Sequence, residues 1–96
     1  MIQKGSREIS LITIEQLRAA RALLGWSQTQ LAERAGMSLP TVKRVEAENG
    51  PRVSEEARQR LQQALESGGI TFIDENGGGP GVRLRKPLRS KLKHLK

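Results

Sequence analysis

What most constrains this chain is Gly36, lodged between two short amphipathic stretches in Gln28 to Glu46, QTQLAERAGMSLPTVKRVE. A helix starting near Gln28 sets Leu31, Ala32 and Ala35 along one apolar edge. Gly36 follows at once, where a helix end favours a residue free to turn left-handed. Met37 fills the turn and Ser38 caps a second helix. Pro40 falls in its first turn, where a missing N–H costs little. Two short helices joined by a tight turn are therefore expected. At about 100° per residue, Val42 and Val45 share the inward side of the second helix with Thr41. Leu39, Pro40, Lys43, Arg44 and Ala47 share the outward side, with Glu46 and Glu48 only at its flanks. Solvated faces usually mix both signs of charge, so an all-cationic face points to a polyanion partner.

The flanking stretches carry matching punctuation. Thr13 begins a capping box with Gln16, and the helix it opens runs to about Leu24. That helix starts with Ile14, buries Leu17, Ala20 and Leu24, and ends at Gly25. Trp26 is expected to pack under the joint, and Ser27 opens the next capping box with Gln30. Asn49-Gly50-Pro51 stops the second helix of the pair. Ser54 then caps a fourth helix with the apolar stripe Ala57, Leu61, Ala64 and Leu65, closed by Gly68-Gly69. Arg52, in the intervening loop, either reaches a phosphate or is simply solvated. Arg21 and Glu46 each interrupt an otherwise buried stripe, and a half-buried charge needs a partner. Either they meet, or they are two unrelated solvated ends.

Gln28-x-x-Leu31-Ala32-x-x-Ala35-Gly36-x-Ser38-x-x-Thr41-Val42-x-Arg44-x-Glu46 resembles the helix-turn-helix signature of the λ-repressor/Cro-like (XRE-type) transcriptional regulators. The resemblance runs from about Ile14 to Ser67, just over half of the chain. It implies a mainly α fold, a four-helix domain whose third helix enters the major groove of double-stranded DNA. The matching base-facing positions are Ser38, Leu39, Pro40, Lys43 and Arg44, with Gln28 touching backbone or base. The chain departs from the family in offering Leu39 and Pro40 where amide side chains often sit. In similar proteins an arginine at the Arg21 position pairs with an acid at the Glu46 position, tying the first helix to the reading helix.

Beyond residue 69 the pattern changes. Ile70-Thr71-Phe72-Ile73-Asp74 is β-leaning, and Val82-Arg83-Leu84-Arg85 alternates apolar with basic. The run Glu75 to Gly81 between them lacks the Lys-Ser/Thr pair and following helix of a phosphate loop, and reads as a hairpin turn. Many small λ-repressor-like regulators are similar in ending this way. A lone hairpin is marginal and leaves edges unpaired. Ile70, Phe72, Ile73, Val82 and Leu84 are accordingly expected to form a dimerisation element; the other reading folds the hairpin onto its own helices. The expected organisation is thus a flexible N-terminus (1–11), the helix-turn-helix domain (12–69), the hairpin (70–86) and a basic flexible tail (87–96).

Charge is uneven along the chain. Residues 1–81 hold ten Lys/Arg and ten Asp/Glu, whereas residues 82–96 hold seven Lys/Arg and no acid, so the whole +7 surplus lies at the C-terminal end. That end is either a solubilising extension or a non-specific phosphate-binding arm. There is no cysteine, and His94 is the one histidine, so neither disulfides nor a metal site are expected. No apolar run approaches the roughly 20 residues of a membrane span, and MIQKGSREIS lacks a signal-peptide core; a cytoplasmic protein without membrane attachment is expected. Ser and Thr act as caps and the helical body has no base to activate a nucleophile, so neither catalysis nor a cofactor is expected. The expected function is a sequence-specific DNA-binding transcriptional regulator, a homodimer on a two-fold operator. The alternative is a helix-turn-helix adaptor for protein or RNA, antitoxin-like, whose protein partner the sequence leaves unknown.

Overall fold

The computed structural model describes residues 12–47 and 54–85. Four helices occupy the described residues: α1 (Ile14–Leu24), α2 (Gln28–Ala35), α3 (Leu39–Glu46) and α4 (Glu55–Ser67). A two-stranded antiparallel sheet follows, β1 (Ile70–Ile73) and β2 (Gly81–Leu84). The mainly α fold with a C-terminal hairpin is the one expected. The N-terminus, the segment 48–53 with Arg52 and the Asn49-Gly50-Pro51 stop, and the basic tail lie outside the described residues.

Local chemistry sets each helix boundary. Thr13 and Gln16 form the expected capping box, as do Ser27 and Gln30, while Ser38 and Ser54 cap α3 and α4 through their side-chain oxygens. α1 and α2 end at Gly25 and Gly36, with left-handed φ of 70° and 69°, a conformation that strains any residue bearing a Cβ. At the end of α4 the constraint is space. A Cβ on Gly68 would lie 2.6 Å from Cη2 of Trp26, so the indole occupies the space that any side chain here would need. Arg34 covers the same ring, its guanidinium carbon 4.5 Å from the centroid. Trp26 is thus a packing residue under the α1–α2 joint.

The core draws on all four helices and on β1. Leu17 and Ala20 of α1, Leu31 and Ala32 of α2, Val42 and Val45 of α3, Leu61, Ala64 and Leu65 of α4 and Ile70 of β1 are buried together with Ile12. Arg58 donates from Nη1 to the carbonyl of Ile12 at 2.6 Å, fastening the chain ahead of α1 to α4. Thr41 sits at the rim, half-buried, its hydroxyl 2.8 Å from that of Ser38.

The hairpin packs on the helices of its own chain. Its register pairs Ile70 with Leu84, Thr71 with Arg83, Phe72 with Val82 and Ile73 with Gly81. Since side chains alternate along a strand, Ile70, Phe72, Val82 and Leu84 share one face, and Thr71, Ile73 and Arg83 share the other. The first face looks into the protein's own helices: Ile70 is fully buried, and Phe72 and Val82 pack against the core. Three of the five residues expected at a seam between copies therefore join or pack against the core of one chain. The cause is the Gly68-Gly69 turn, which returns the chain without a linker, and Gln16, whose Nε2 donates to the carbonyls of Ile73 (3.2 Å) and Gly81 (2.9 Å). Leu84 remains 46% exposed, and Ile73 is half-buried on the outer face. In the turn, the Glu75 carboxylate accepts from the N–H groups of Gly77 and Gly79, and the Asn76 side chain accepts from that of Gly78. The glycine amides are satisfied from within, which closes the phosphate-loop reading.

Candidate nucleic-acid interface

α3 owes its orientation to what it buries. Val42 and Val45 are essentially inaccessible, and Glu46, at the end of the helix, is buried too. The Glu46 side chain is only 4% exposed, against 24% for Arg21. Arg21 meets it in a two-pronged pair, Nε to Oε2 and Nη2 to Oε1, each at 2.9 Å. Its remaining Nη1 donates to the carbonyl of Trp26 at 3.1 Å, so the guanidinium also fastens the α1–α2 joint. Gln28 Nε2 adds a further hydrogen bond to Glu46 Oε1 at 2.9 Å. One carboxylate thereby collects α1, α2 and α3. Of the two readings of Arg21 and Glu46, the paired one holds in this structure.

Gln28 was expected to touch DNA, and the structure turns its amide toward Glu46. The signal for that role lay in donor arithmetic. A carboxylate offers about four acceptor positions, arginine fills two, and Gln28 at the start of α2 is a near donor able to fill another.

Outward, α3 presents Lys43 and Arg44, both exposed and neither in an ion pair among the described residues. Pro40 is exposed and Leu39 half-buried ahead of them. Ser38 Oγ accepts from the Thr41 N–H at 3.2 Å, fixing the first turn. Ser38, Leu39, Pro40, Lys43 and Arg44 are thus carried by one cap and two turns of one rigid helix. The hairpin residues and Arg83 lie on other elements. Among the described residues no group of His, Cys, Asp and Glu could hold a metal ion, and no helix is long and apolar enough to cross a membrane.

A family model described as Helix-turn-helix matches residues 17–68, from within α1 to the glycine that closes α4. Among curated proteins none matches the chain. The match covers more than half of the sequence and spans the α1-to-α3 strut, the turn at Gly36 and the cationic side of α3. With the four-helix architecture and its hairpin, it identifies the chain as a member of the XRE/Cro-like helix-turn-helix family of DNA-binding transcriptional regulators.

Proposed function

We propose that this protein is a sequence-specific regulator that reads operator DNA with α3 and acts as a homodimer on a two-fold site. The observation that carries the reading is the contrast between the two sides of α3. Val42, Val45 and the strapped Glu46 fix the inner side, while Lys43 and Arg44 on the outer one have no acid partner among the described residues. Arg44 is the better bidentate partner for guanine, Lys43 reaches a neighbouring base or phosphate, and Leu39 meets a thymine methyl. Ser38 and Pro40 bring the start of α3 against the sugar-phosphate backbone, where its N-terminal dipole favours a phosphate. Arg52 contributes a further phosphate contact, while Gln28 serves Glu46.

A single reading helix spans too few base pairs to select a site in a genome, so two copies about 34 Å apart on successive major grooves are required. Leu84, Ile73 and the hairpin edges form the seam of that dimer, and Ile70, Phe72 and Val82 support it from beneath. The basic tail adds sequence-independent phosphate contacts. Such a protein works in the cytoplasm, on the chromosome. Selection of bound duplexes from a random pool tests the reading. An enriched inverted repeat with half-sites about 10 base pairs apart supports it. A pool that gains affinity without a shared motif, its binding tracking salt alone, contradicts it.

A further inference from the structure

A groove of about 300 Å³ runs between α2 and α4, lined by Arg34, Ala35, Arg60, Gln63, Ala64 and Ser67. None of these residues is acidic, although α2 and α4 carry Glu33, Glu55, Glu56 and Glu66 elsewhere. An arginine stands toward each end. Arg60 reaches the turn between α2 and α3, its Nη2 3.4 Å from the carbonyl of Gly36. Arg34 lies over Trp26, whose ring rests on Gly68 beside Ser67. Along α4, Arg60 and Ser67 are seven residues apart, about 10 Å at the rise of an α-helix. The floor between them is the small apolar pair Ala35 and Ala64, with Gln63 and Ser67 able to bond a peptide backbone.

We propose that this groove binds an acidic segment of a partner protein in extended conformation. Side chains two residues apart in an extended chain point to the same side about 7 Å from one another, so two carboxylates at that spacing face the groove together. Guanidinium groups pair carboxylates in a planar, two-pronged way, and the stack on Trp26 holds one of them in place beforehand. The groove exceeds what a single inorganic anion fills. α2 packs on α3 and also on α4, so it stands between the groove and the reading helix. A bound duplex on α3 leaves the site open.

Trp26 is the only tryptophan and Arg34 of the groove covers its ring, so the emission of the full-length protein responds to a change at this site. The probe is the peptide acetyl-GSEAEASG-amide, with acetyl-GSQAQASG-amide as control, at about 0.1 M salt, where longer-range charge attraction is screened. The expected result is a saturable change in Trp26 emission with the acidic peptide only, unaltered when duplex DNA is bound. Arg60→Gln, an exposed change that leaves the Arg34–Trp26 stack in place, should weaken the peptide about tenfold, the loss of one charge-assisted pair. Arg83→Gln, on the outer face of the hairpin, should leave it unchanged. No emission change, equal binding by Arg60→Gln, equal loss in Arg83→Gln, or displacement by DNA would each overturn the proposal.

Discussion

At Glu46 a nearly buried carboxylate accepts from Arg21 and from Gln28, so the orientation of α3 depends on charge balance at one residue. Removing the cation leaves that carboxylate with an amide alone. One-sided loss of a fully buried pair costs roughly 3–5 kcal/mol, and the partial exposure of Arg21 brings the expected cost of Arg21→Met nearer 2 kcal/mol. For a domain of this size that is a fall in Tm of roughly 10 °C, measurable by circular dichroism. Arg21→Met combined with Glu46→Gln should recover part of the loss, because no buried charge then lacks a partner. A Tm unchanged in both single variants would contradict the strut. The sequence showed that Arg21 and Glu46 each need a partner, because each breaks an apolar stripe at helical spacing. That they meet one another was what the family resemblance implied. The second task of Gln16 was not legible. Its capping box is visible as Thr-x-x-Gln, but the carbonyls bound by its Nε2 belong to Ile73 and Gly81, 57 and 65 residues away.

Element boundaries in this fold are set by short-range chemistry, and element placement is not. Ser and Thr caps, Gly25 and Gly36 stops and the β-leaning run after Gly69 act within a few residues, so helices and hairpin could be read directly. Which face of the hairpin turns inward depends on α1 and α4, and the alternation of Ile70 with Phe72 does not say whether another copy or the same chain covers them. Gln16 offers a way to separate the two parts. Gln16→Glu keeps an acceptor for the Thr13 N–H but replaces the donor facing two carbonyls with a second oxygen. It should cost about 1–3 kcal/mol, the penalty of leaving buried polar groups unsatisfied. Amide exchange should accelerate in β1 and β2 while the start of α1 stays protected. Equal acceleration throughout the chain would show that the hairpin is not docked through this side chain.

For the whole molecule, the proposed specificity depends on assembling two reading helices. Full-length protein is expected to have the mass of a dimer at micromolar concentration. Leu84→Asp should shift it toward monomer without unfolding it, since Leu84 is about half exposed and Phe72 packs into the core. A monomer at that concentration, free and on DNA, would contradict the dimer. Deleting residues 88–96 removes Arg89, Lys91, Lys93 and Lys96. If these touch phosphates, the salt dependence of log affinity flattens by about 0.9 per contact with base preference intact; an identical slope would leave the tail without a role in binding. The central claim is that the outer side of α3 reads bases, and Arg44 tests it most directly. Selection from a random duplex pool, run in parallel with wild type and Arg44→Ala, should yield the same inverted repeat with preference lost at one base pair in each half-site. Affinity for the wild-type site should fall by about 1–3 kcal/mol. An unchanged motif with uniformly weaker binding to every sequence would make Arg44 a phosphate contact and contradict the account.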